Sequence, residues 1–280
     1  MIDHFTYGLW TPVIAYAVSV IGAFIGLTAA TRSRNAVNGF TRMQWLVMSA
    51  ICLGGTAVWS MHFIAMMGFR VSGTPIRYDT GLTLASGAVA ILVMGVALYL
   101  TIHRDTTGWL IVGGLIAGTG IVSMHYMGMA SMNLHGELHH NPVFVTAATA
   151  IALAAAVAAL WFARRLTGLT AITLASLLMG VAVSSMHYTG MFGMSATVHA
   201  DHPMEAPAGA TSSELLLPLV VGLFVFLLVC SLFLMLGVED SPRRRAVPSA
   251  TAPEQESGEN REGGEYAPRH IFDSSRNDNR

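Results

Sequence analysis

The chain has 280 residues, 53% of them hydrophobic and only 11% charged, with a formal net charge of −1. That balance excludes a soluble domain with an ordinary charged surface and gives no basic footprint for nucleic acid. Seven apolar stretches approach or exceed the roughly 20 residues that carry a helix across about 30 Å of hydrocarbon, so the sequence predicts an all-α, polytopic membrane protein.

In chain order the predicted spans fall at residues 12–31, 45–67, 81–101, 109–131, 143–163, 170–193 and 215–237. The opening MIDHFTYGLW lacks the basic region of a cleaved signal, so the first span reads as a retained helix. Basic residues cluster in alternate connections: Arg32, Arg34 and Arg42 after span one, Arg104 after span three, Arg164 and Arg165 after span five, and Arg243 to Arg245 after span seven. The connections between them carry Arg70 and Arg77 in one case and no Lys or Arg in the other two. The positive-inside rule therefore predicts an N-terminus outside and a cytoplasmic C-terminus. Cys52 and Cys230 both lie within spans and suit buried thiols. Residues 238–280 are rich in Pro, Gly, Ser and charge, which predicts a disordered cytoplasmic tail without room for a soluble catalytic domain.

Comparing the chain with itself gives the strongest signal. GTAVWSMHFIAMMG at 55–68, GTGIVSMHYMGMAS at 118–131 and GVAVSSMHYTGMFG at 180–193 share one register, and their histidines are 63 and 62 residues apart. The repeat unit is a pair of membrane helices, present three times, with span seven added. Spans two, four and six share a direction, so His62, His125 and His187 are expected at one depth near the outer boundary. On an α-helix the Met four residues on (Met66, Met129, Met191) and the Gly seven before (Gly55, Gly118, Gly180) share the histidine's stripe. The glycines would admit a neighbouring helix below the histidine. Met61, Met124 and Met186 sit to one side of that stripe, and Phe63, Tyr126 and Tyr188 to the other. Ser60, Ser123 and Ser185 suit backbone or interhelical hydrogen bonds.

Ionisable residues are costly within membrane spans, so three at matched depth point to a site. Imidazole is the commonest protein metal ligand, and thioether sulfur narrows the metal toward soft Cu(I). The expected copper ligands are therefore His62, His125, His187, Met66, Met129 and Met191, with Met61, Met124 and Met186 as flanking candidates. The His-rich connection HGELHH at 135–140 could gather metal at the mouth of that site; His199 and His202 are weaker candidates. Two rivals stand beside a copper site: a copper-handling or transport protein, and a haem-binding electron-transfer protein with paired axial histidines. No Walker loop, dinucleotide fingerprint, CxxC pair or nucleophile elbow occurs, so no enzymatic activity is expected.

At the motifs MHFIAM, MHYMGM and MHYTGM the chain resembles the bacterial MHYT-domain family of integral membrane sensors. The resemblance covers residues 9–200, leaving span seven at 215–237 and the tail at 238–280 outside it. It implies a sensory input module in the plasma membrane, with a proposed copper site that detects a diatomic gas such as oxygen, carbon monoxide or nitric oxide; the His/Met chemistry adds a redox change as a second expected signal. Such modules are often fused to output domains; here output is expected from a separate cytoplasmic signalling partner. Phe63 and Ile64 replace the family's Tyr and Thr in the first motif, so those hydroxyls are not a threefold requirement.

Overall fold

A computed structural model describes residues 2–198 and 206–236. Among them, seven helices are long and apolar enough to cross a membrane, and the chain is a multi-pass membrane protein. Span one is Trp10–Asn35, span two Gly39–Met66, span three Thr80–His103, span four Thr107–Ala130, span five Pro142–Arg165, span six Leu169–Phe192 and span seven Ser212–Leu236. Most run a few residues beyond their apolar cores because polar side chains start them. Asn38, Asp79, Thr106 and Asn141 accept hydrogen bonds from the backbone N–H groups of Phe40, Leu82, Trp109 and Val143, which no intrahelical carbonyl can satisfy.

Spans one to six close into a ring in chain order, with span six returning against span one. Span seven lies outside that ring, against span one and the middle of span two. Small residues set the close approaches. A Cβ added at Gly118 would lie 2.7 Å from Leu153 of span five, and one at Gly180 would lie 2.7 Å from Val20 of span one. Gly55 faces Ile91 of span three more loosely, at 3.2 Å. Ser19 and Ser49 bind span two to span one by donating to the carbonyls of Ala57 and Gly26, each at 2.8 Å.

Span two departs from the uninterrupted α-helix expected for it. Residues Ile51–Ser60 wind as a π-helix, and Ser60 Oγ donates to the Gly55 carbonyl at 2.9 Å. The wider turn changes the angle between residues a fixed distance apart, so the stripe arithmetic that joins Gly118 to His125 does not carry over to Gly55 and His62. Of the other two motif serines, Ser123 donates to the Thr119 carbonyl at 2.9 Å, while Ser185 is exposed on the helix surface.

The two ends of the bundle differ. At one end arginines cap helix carbonyls: Arg32 donates to Leu234 at 2.7 Å, Arg34 to Arg164 and, at 2.6 Å, to Leu166, and Arg164 to Thr106 at 3.0 Å. Arg164 also pairs with Asp105 at 3.3 Å. At the other end lie three two-stranded antiparallel ladders: β1 (Ile2–Asp3) with β2 (Arg70–Val71), β3 (Arg77–Tyr78) with β4 (Met132–Asn133), and β5 (Gly136–His140) with β6 (Met194–Val198). HGELHH is thus mostly a strand, in register with Met194–Val198, rather than an irregular loop. At the surface of this end Arg70 donates to the Tyr7 hydroxyl at 3.0 Å and Arg77 pairs with Glu214 at 3.8 Å. Cys52 and Cys230 are buried free thiols. His199, His202 and residues 238–280, including Arg243 to Arg245, lie outside the described residues.

Candidate metal centre

The three repeat histidines meet on the axis of the ring. His62 Nδ1 lies 2.9 Å from His187 Nδ1 and 3.2 Å from His125 Nδ1, and one ring nitrogen from each lies within 4.8 Å of the others. Each residue is 1% exposed. The rings stand nearly perpendicular to one another, at interplanar angles of 70°, 83° and 85°, so three edges turn toward a common centre. The equal depth read from the repeat is what brings them together.

The opposite ring edge shows how the packing is achieved. A Cβ at Gly128 would stand 2.4 Å from His62 Nε2, and one at Gly190 would stand 2.5 Å from His125 Nε2. These residues lie three positions after the histidines of the second and third repeats; the first repeat has the buried Ala65 there. Each imidazole of repeats one and two is therefore wedged against bare backbone of the next repeat. The Nε2 atoms of all three histidines find no hydrogen-bond partner among the described residues. The shared small residue in the His-x-x-small-Met pattern is the sequence signal for this wedge, one the histidine register overshadows.

The residue after each histidine stacks edge-on against its ring: Phe63 at 4.9 Å, Tyr126 at 4.9 Å and Tyr188 at 5.0 Å. The six candidate methionines are all buried and divide between two layers. Met66, Met129 and Met191 pack with Met132, Met194, Phe63 and Tyr78 one turn toward the ladders. Met61, Met124 and Met186 belong to the main apolar core.

Around this centre the ladder end forms a cover. His4 is half-buried between Phe69 and Phe192, at ring distances of 5.5 and 5.3 Å. Burial lowers its pKa from the ordinary histidine value, against the partial opposition of Asp3. His140 rests on Tyr126 at 5.4 Å, and its pKa is lowered by burial and by the neighbouring His139. His139 is exposed and lies 3.9 Å from Glu137 and 3.4 Å from Thr197, so the strand's histidines are not gathered with the triad. Tyr78 is 1% exposed beneath the cover, and its burial pushes the phenol pKa up to about 12.

The donor set can be tested against a metal ion. Two nitrogens bound at roughly 2.0–2.1 Å with tetrahedral or trigonal angles lie about 3.3–3.6 Å apart, a few tenths of an ångström beyond the spacings found here. Spans one to six contain no Asp or Glu, so the centre is a set of neutral donors without a counter-charge. Three convergent nitrogens and a sulfur-rich layer one turn away fit a soft, low-charge cation better than a hard divalent one.

A helix pair present in three copies, carrying a buried histidine triad on the ring axis, defines the class: an integral membrane protein built around one central site. The family model described as the bacterial signalling protein N-terminal repeat, MHYT, matches residues 55–114 and 118–176, each match beginning on a repeat glycine. Residues 55–176 of the chain thus carry repeats of the MHYT family. It is 37% identical over 181 residues to the bifunctional diguanylate cyclase/cyclic di-GMP phosphodiesterase MucR of Pseudomonas aeruginosa, covering 62% of this chain and 26% of that protein. It is 30% identical over 223 residues to the cyclic di-GMP phosphodiesterase NbdA of the same organism, covering 77% and 28%. It is 27% identical over 217 residues to the signaling protein YkoW of Bacillus subtilis, covering 74% and 26%. The matches thus span about a quarter of each of these curated relatives. No solved structure matches the chain.

Proposed function

We propose that the chain is a membrane sensor module in which His62, His125 and His187 hold copper and report a diatomic gas or redox state to a cytoplasmic signalling partner. The observation that supports this reading is the meeting of three buried, carboxylate-free imidazoles at 2.9 and 3.2 Å. The cost of burying an ion rises steeply with its charge, so neutral donors in a low-dielectric bundle favour Cu(I) over divalent metals. Bound copper would supply a coordination position for oxygen, carbon monoxide or nitric oxide and a one-electron redox change. The histidines orient their nitrogens toward one point, the glycine wedges hold the rings at that angle, and the aromatic and thioether layers keep water away. Met66, Met129 and Met191 are candidates for additional soft donors from the ladder side.

The three motif helices run from the triad to the arginine end, where Arg32, Arg34 and Arg164 tie neighbouring spans together. A change in triad geometry would thus reach that end through rigid helices. The relatives' names point to a partner that makes or degrades cyclic di-GMP; the chain itself would not be an enzyme. Haem fits the geometry less well, because imidazole rings in mutual contact leave no slot for a porphyrin plane between them. A transport path also fits less well, since the bundle centre on the arginine side of the triad is lined by apolar side chains.

Reconstitution with Cu(I) under anaerobic conditions, followed by elemental analysis, tests this reading. The wild type should retain about one copper per chain, and His125→Ala should lose at least tenfold. Equal copper in both would sink it. Replacing Met66, Met129 and Met191 by Leu separates the sulfur role: retained copper with an altered reduction potential would identify them as donors that tune the ion.

A further inference from the structure

Directly on the arginine side of the triad, spans one to six leave a small space on their common axis. Its wall takes a residue from each span: Ala23, Val58, Met94, Ile121, Ala156 and Val183. Val58, Ile121 and Val183 each precede a triad histidine by four residues, so the roof of the space is the floor of the histidine site. The cavity is about 20 Å³, above the roughly 10–15 Å³ that admits one water-sized molecule. A water there would meet no hydrogen-bond partner, and cavities of that kind stay dry and take up small apolar solutes.

The space persists because span five is thin. Its stretch IALAAAVAAL turns Ala152, Ala155, Ala156 and Ala159 toward the cavity. On the other flank of the same helix a shallow apolar groove is lined by Leu110, Leu153, Ala154, Val157, Ala158 and Trp161. One alanine-rich helix therefore separates the cavity from the lipid phase, into which apolar gases partition in preference to water.

We infer that this cavity binds one molecule of a small apolar gas, taken from the lipid across span five and held one helical turn from the histidines. The pocket forms from apolar packing alone and needs no metal; its use in sensing rests on the copper reading above. It deepens that reading by naming where an apolar diatomic waits and the phase that delivers it.

Xenon is the probe. Metal-free protein in lipid nanodiscs, labelled with ¹³C at the methionine methyls, is titrated with xenon pressure and read by NMR. Met94 lines the cavity and is 2% exposed, whereas Met235 of span seven is 76% exposed and serves as the control. The Met94 resonance should shift saturably and Met235 should not. Ala156→Val adds two methyl groups to the wall and should weaken the saturable shift by about tenfold or more; Ile121→Ala enlarges the space and should increase it. A linear drift of Met94, identical in wild type and both variants, would overturn the pocket. Copper content is measured on separate samples of the same proteins after anaerobic reconstitution with Cu(I). Copper retained without saturable xenon refutes this inference and leaves the metal reading standing; saturable xenon without copper does the reverse.

Discussion

Two glycines carry more of the site than their chemistry suggests. Gly128 and Gly190 let the His62 and His125 rings lie against backbone, at 2.4 and 2.5 Å from where a methyl group would stand. Imidazole is rigid and both rings are fully enclosed, so neither can retreat far. Gly128→Ala and Gly190→Ala should each destabilise the protein by about 1–3 kcal/mol, the ordinary cost of overpacking. Gly222→Ala in span seven has nothing within 4 Å of the new methyl and should be neutral or slightly stabilising, as helix propensity requires. Denaturant unfolding in detergent compares the three; a loss at Gly222 equal to that at Gly128 would show that the wedge is not the cause. These positions also mark what was legible in the sequence. The histidine register was visible because an imidazole in an apolar helix stands out and recurs. A glycine or alanine three residues later does not stand out, since small residues are common in membrane helices for many reasons.

At the scale of elements, the seven spans were legible because apolar length alone specifies them, and the three pairings of short strands were not. Strands of two residues, such as Arg70–Val71, have no detectable alternation, and their partners lie about 55 to 70 residues away along the chain. The π-wound stretch of span two was equally silent, because Gly, Ala and Thr suit several helical windings. The ladders matter because they hold His4 and His140 over the aromatic layer. Both have folded pKa values below the ordinary histidine value, so the unfolded chain binds protons more readily than the folded one below about pH 6.5. The stability present above that pH is therefore lost as pH falls toward the folded values. We expect the melting temperature of metal-free protein to drop between pH 7.5 and 5, and the double variant His4→Gln, His140→Gln to drop less. Parallel melting curves for the two proteins across that range would show that the cover does not contribute.

For the whole molecule, the arginines serve two purposes that have to be separated. Arg32, Arg34 and Arg164 cap carbonyls and join the ends of spans one, five and seven, so part of their clustering is structural. A capping role does not explain why the opposite end has so few: capping carbonyls needs cations at both ends of an antiparallel bundle, yet there the chain uses short ladders instead. The remaining asymmetry is a charge bias of the kind that orients membrane proteins, and from it we propose that the arginine end faces the cytoplasm and the triad the outer side. The chain offers a clean way to test this, because its own thiols, Cys52 and Cys230, are 0% and 4% exposed and should resist labelling. A cysteine in place of exposed Glu137, on β5, should react with a membrane-impermeant maleimide in intact cells. One in place of Val37, fully exposed between spans one and two, should react only after the membrane is opened. The reverse pattern would put the histidine triad at the cytoplasmic face, and a signal detected there would have to reach its partner through the ladders rather than through the arginine-tied helix ends.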